Sequence, residues 1–183
     1  MVNWHNFATV SVAALAATAL VFGATFLVGR RIGRYNVVDV TWGLAFVVVA
    51  IVAAVLGTGD VIRRLLLLAL VAVWGLRLAA HLTVKLKGKG EDPRYEAHLR
   101  GDFSTATVMR KIFVVQGISA WFVSLPLQLS AASGPTPPRW LPVLVLGTLL
   151  WLVGFVFEAL GDQQLKAFKA DPANKGRIMD RGL

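Results

Sequence analysis

Five apolar runs, each nearly free of charge, limit what this chain can fold into more than any other feature. They cover residues 7–28, 37–56, 65–84, 112–133 and 141–160, and the first holds 22 residues without a charge. Roughly 20 apolar residues are needed to cross the hydrocarbon of a bilayer as a helix. In lipid each backbone N–H and C=O must find its partner inside the segment, which leaves the helix as the solution for such runs. The expectation is an all-α, polytopic membrane protein with about five transmembrane helices. Composition agrees: 56% of the residues are hydrophobic and 16% are charged, against about 25% charged in soluble domains. The first run lacks a basic leader and is too long for a signal peptide. No internal repeat or low-complexity tract interrupts the 183 residues, so the reading takes 1–183 as a single helical membrane domain, with a loop at 85–111 and a tail at 161–183.

Several function classes drop out. Without cysteine there is no disulfide or thiolate metal site, and His5, His81 and His98 show no ligand spacing, so no metal is expected. The net charge of +9 sits in the connections between apolar runs and does not point to nucleic acid. With the N-terminus outside, fifteen basic residues fall in the inside segments and three, Arg63, Arg64 and Arg139, in the outside ones. The positive-inside rule then puts the long loop and the C-terminal tail in the cytoplasm.

Ionisable groups at or inside the spans are costly unless paired or wet. Asp39, Arg77, His81 and Glu158 are of this kind. Asp39 and Arg77 fall at similar depth on adjacent antiparallel spans, which suggests an ion pair fixing register; the alternative has Arg77 and His81 lining a polar cavity. Gln116 and Gln128 in the fourth span read as interhelical hydrogen-bond donors, and Pro126 as a bend. In the loop, GKGEDPRY gathers Glu91, Asp92, Arg94 and Tyr95, and PRYEAHLRG suits a short helix with Pro93 in its first turn. The cluster is either a solvated loop or a lid over the membrane mouth, with Tyr95 as proton donor and Glu91 beside it. It lacks the spacing of a phosphate-binding Walker loop.

The last span runs into FEALGDQQLKAFKADPANKGRIMDRGL. At about 100° per residue, Glu158, Asp162, Lys166 and Lys169 share one helix face. Carboxylates hold hydroxyls and amides, and ammonium groups hold phosphates, so the face suits an anionic polyhydroxy ligand. The plainer alternative is a helix end decorated with surface acid–lysine pairs.

Taken together, VDVTWGLAF, the Arg77–His81 spacing, GKGEDPRYE and above all the 157–183 stretch resemble bacterial members of the steroid 5-alpha-reductase-like membrane proteins, over nearly the whole chain. The resemblance implies an enzyme of the bacterial inner membrane that takes NADPH from the cytoplasm and reduces an activated carbon–carbon double bond in a lipid. It implies cofactor contacts at Asp162, Glu158, Lys166, Lys169 and Asn174; Glu158 stands where the steroid enzymes carry asparagine. It also implies an Arg-His-Pro-Asn-Tyr segment after a Gly-Leu like Gly182-Leu183, so the 183-residue chain is expected to be truncated. A second reading is an S-adenosylmethionine-dependent lipid methyltransferase, whose terminal module is similar, and a third is a non-catalytic membrane protein. The partners expected are membrane lipid and a lipid-like substrate. The oligomeric state and the substrate itself are left open.

Overall fold

The computed structural model describes residues 1–182, and every regular element among them is helical. Five helices are long and apolar enough to cross a membrane: α1 (Trp4–Ile32), α2 (Val37–Leu56), α3 (Val61–Leu86), the continuous helix Thr105–Val123, and the stretch Pro138–Ala170 that contains α8 (Leu141–Ala170). The short helix α4 (Pro93–Leu99) lies in the loop between α3 and the fourth span. By packing, the chain divides into two compact units, Met1–Pro135 and Thr136–Leu183.

Local chemistry sets the helix ends. Asn3 accepts the Asn6 amide at 3.0 Å to start α1, which stops at Gly33, whose φ of 69° favours glycine. Asp60 starts α3 by accepting the Arg63 amide at 3.0 Å. The fourth span begins at Thr105, ahead of the expected residue 112, because Ser104 caps the Thr107 amide. Its opening turn, α5 (Thr105–Val108), passes through a π-helical turn, Met109–Val114, into α6 (Val115–Val123). Ser124 then breaks the helix before Pro126, and α7 (Leu125–Ala131) completes the expected run. Proline removes an intrahelical bond and displaces the turn before it. Here the Trp121 carbonyl takes the Ser124 hydroxyl at 2.8 Å and the Gln128 amide at 3.1 Å instead.

Within the first unit α2 is central, packing on α3 and α1 and touching α6 and α7. Lipid is as apolar as leucine, so close packing and hydrogen bonds, more than water exclusion, hold such helices together. Gly43 on α2 and Gly75 on α3 meet backbone to backbone: a Cβ on Gly43 would lie 2.5 Å from the Gly75 carbonyl oxygen. On α1 the buried Val10, Ala14, Thr18, Phe22 and Phe26 recur at four-residue steps and form one face. Phe26, Tyr35 and Phe113 form an aromatic knot, with Phe26 and Phe113 edge to face at 5.3 Å. At the far end Arg63 donates to the Ser130, Ser133 and Gly134 carbonyls, tying α3 to the end of α7. The second unit comprises α8 with a one-turn 3-10 helix at each end, Pro138–Trp140 before it and Pro172–Asn174 after it.

Candidate functional site

The site grows from a loop that folds back on a helix end. The first amides of any helix lack intrahelical acceptors, and the end carries partial positive charge. In the turn leading into α2, Glu91 serves the amides just ahead of the helix: its carboxylate accepts the Tyr35 amide and, at 2.9 Å, the Asn36 amide. It also accepts the Asp92 amide at 2.9 Å. The Asn36 side chain returns a bond to the Gly90 carbonyl at 2.8 Å, and the Arg34 guanidinium takes the Leu86 and Lys89 carbonyls. GKGEDPRY is therefore a folded strap across the α1–α2 turn. Glu91, expected beside a proton donor, is a capping residue with both oxygens engaged.

That strap delivers α4 to the first turn of α2. Asp92 caps α4 by accepting the Arg94 amide at 2.9 Å, and Pro93 opens it with the φ that a first turn requires. Arg94 and Tyr95 then reach Asp39. The Tyr95 hydroxyl donates to Asp39 Oδ1 at 2.5 Å and accepts from Gln116 Nε2 at 3.2 Å. Arg94 Nη2 lies 3.3 Å from Asp39 Oδ2 and 2.8 Å from Asp92 Oδ2. Asp39 thus takes its partners from α4, where the antiparallel-span argument pairs it with Arg77. Matching depth did not fix which way round the helix the carboxylate points. Arg77 and His81 lie one turn apart on α3, and neither is among the side chains lining the cleft described next.

Tyr95, Arg94 and Gln116 line a cleft of about 430 Å³ together with Trp42, His98, Lys111, Ile112, Val115 and Ser119. The lining combines hydroxyl, amide and cationic groups with indole and aliphatic side chains that offer apolar contact. Burial, and next the hydrogen bond to the Asp39 carboxylate, push the Tyr95 phenol well above its ordinary range, because both penalise a phenolate. Tyr95 is therefore a neutral hydroxyl at any physiological pH. The Arg94 guanidinium draws the Asp92 carboxyl down to about 2. Arg94 is 74% exposed, so its ion pairs position the loop and add little stability. Gln116 matches its expected interhelical role, joining α6 to α4. Gln128 instead braces the break in its own span.

In the second unit, α8 carries Glu158, Asp162, Lys166 and Lys169 along one face of an unbroken helix. Neither lysine has a hydrogen-bond or ion-pair partner among the described residues. Two ammonium groups near a helix C-terminus fit phosphate oxygens, so this donor set is compatible with the dinucleotide that the resemblance implies. Asn174 donates its side-chain amide to the Phe168 carbonyl at 3.0 Å and so closes the end of α8. Nothing in the residue order around Asn174 signals that cap. No group of three or more metal-ligating side chains occurs among the described residues.

Helical spans with a cleft of mixed lining in the first unit define the class: a polytopic helical membrane protein. Residues 25–183 match the family described as a protein of unknown function (DUF1295), and the chain belongs to that family. No curated protein and no solved structure matches the chain.

Proposed function

We propose that this membrane protein is an oxidoreductase that reduces a carbon–carbon double bond conjugated to a carbonyl in a lipid. The observation that carries the reading is the Tyr95 hydroxyl, held neutral by burial and by Asp39 and accepting from Gln116, in the wall of a cleft with apolar lining. An uncharged phenol in such a place is a hydrogen-bond donor for a carbonyl oxygen. Turned into the cleft, it would polarise that oxygen and draw charge from the β-carbon, while Asp39 keeps Arg94 as its partner. The apolar lining, Trp42, Ile112 and Val115, would hold the lipid. The reductant would be NADPH, whose phosphate oxygens suit ammonium groups such as those of Lys166 and Lys169. The cofactor, when bound, supplies the hydride to the β-carbon, and water supplies the proton that the α-carbon takes.

The test is turnover by the purified protein in bilayer discs, with NADPH and an enone lipid, following cofactor oxidation and the mass of the product. A product two hydrogens heavier, lost in Tyr95→Phe, supports the reading. Equal turnover in wild type and Tyr95→Phe would remove Tyr95 from the chemistry. Methylated product with S-adenosylmethionine, and none with NADPH, would replace the reductase by a methyltransferase.

A further inference from the structure

The cleft has one charge that the protein itself does not answer. Lys111 lies in the π-helical turn Met109–Val114, half-buried in the cleft wall. It makes no hydrogen bond or ion pair among the described residues. The nearby acid that acts on it through space, Asp102, has its carboxylate engaged by the Ser104 amide at 3.0 Å and the Thr107 hydroxyl at 2.6 Å. The other fixed cation of the cleft, Arg94, is neutralised by Asp92 and Asp39, and Asp39 also takes Tyr95. Asp39, Asp92 and Asp102 are thus each engaged by other groups.

A lysine near the end of a span often extends its ammonium to the water interface while its stem lies in lipid. Such a lysine sits on an outer helix face. Lys111 instead shares a concave wall with Trp42, Ile112 and Val115. Its turn also departs from α geometry, and π-turns inside α-helices occur mostly at functional sites. An unanswered ammonium against an indole and aliphatic side chains matches a ligand with an anionic head and an apolar chain.

We propose that the cleft binds an anionic amphiphile, with Lys111 as counter-charge for a carboxylate or phosphate head and Trp42, Ile112 and Val115 against its chain. Naming this amphiphile as the substrate rests on the function proposed above; its binding does not.

The experiment uses the protein in discs of neutral lipid and reads quenching of tryptophan fluorescence by a brominated long-chain fatty acid and by its methyl ester. The acid should bind roughly tenfold or more tightly than the ester, the scale of one charge-assisted hydrogen bond. Lys111→Gln should erase that preference, Lys111→Arg should keep it, and Trp42→Phe should remove most of the quenching. Equal affinity of acid and ester in the wild type, or an unchanged preference in Lys111→Gln, overturns the proposal. Inorganic phosphate displacing the acid at millimolar concentration would show a small-anion site and overturn the amphiphile. Tyr95→Phe keeps the acid preference if the cleft binds as described, even where turnover is lost, so failure of the reductase reading and failure of this one are told apart.

Discussion

The Tyr95 hydroxyl stands 2.5 Å from Asp39 Oδ1, across fifty-six residues of chain. This bond joins the loop helix to the first turn of α2, and burial first and the bond second hold the phenol above its ordinary range. A tyrosine with a folded pKa raised above its unfolded value contributes stability that is complete below about pH 10. That contribution is lost as pH rises through the higher folded value. With two tyrosines in the chain, an alkaline phenolate titration should show one group ionising late, and Tyr95→Phe should remove that late phase. Two tyrosines titrating together near the ordinary value would refute the burial of Tyr95 against Asp39.

A double-mutant cycle measures the same contact. Tyr95→Phe and Asp39→Asn should be less than additive, with a coupling on the order of 1 kcal/mol for a half-buried bond to a charged group. Asp39→Asn with Arg77→Gln should be additive. The reverse pattern would restore the Asp39–Arg77 register pair.

Asp92 gives a prediction at acid pH. Its carboxyl is lowered to about 2, chiefly by the Arg94 side chain, so its support of α4 is complete above its ordinary pKa and is lost as pH falls through about 2. Hydrogen exchange at the Arg94–Glu96 amides should stay slow through mildly acid pH in the wild type. In Asp92→Ala those amides should exchange fast at all pH. Slow exchange in Asp92→Ala would mean that the cap does not hold this helix.

Removing Glu91 strands three backbone amides at once. Glu91→Ala should cost on the order of 1–3 kcal/mol and expose the Tyr35 and Asn36 amides to exchange. Glu91→Gln retains an acceptor oxygen and should lose less. Turnover falling in Glu91→Gln with stability and exchange unchanged would return Glu91 to the chemistry.

Two glycines separate packing from helix propensity. Gly43→Ala places a methyl group 2.5 Å from the Gly75 carbonyl oxygen and should destabilise by about 1–3 kcal/mol, since neither backbone can yield cheaply. Gly23→Ala meets nothing within 4 Å and should be neutral or stabilise by roughly 0.5–1 kcal/mol. Thermal unfolding in detergent reads both, and equal midpoints would refute the close approach of α2 and α3.

The membrane orientation of the first unit is a proposal from the basic-residue asymmetry. A reporter after Leu56 should be outside and one at Lys89 in the cytoplasm. Both reporters on one side would overturn it.

The spans were legible because lipid allows so few backbone solutions; 37–56 coincides with Val37–Leu56. The start of the fourth span was not, because Ser104, Thr105 and Thr107 look like loop until the cap is seen. Within the site, Tyr95 could be singled out from its loop, but its partner could not. Hydropathy gives the depth of Asp39 in a helix, and the direction it faces depends on how α2 sits between its neighbours. Glu91 was legible as a charged residue near Tyr95, but its capping role depends on a contact fifty-five residues back along the chain. Lys111 gave no signal, since a lone lysine at a span end is ordinary.

Asn36 leaves the ribosome fifty-five residues ahead of the Glu91 that will cap it, and Tyr95 twenty-one ahead of Gln116. Until then the hairpin of α1 and α2 waits in the bilayer with the first turn of α2 open to water or to chaperones. The cleft therefore has no existence in the early nascent chain. It is assembled late, from pieces made at three separate times, and a pause in translation after α3 would leave a membrane-inserted protein with nowhere for a ligand to bind.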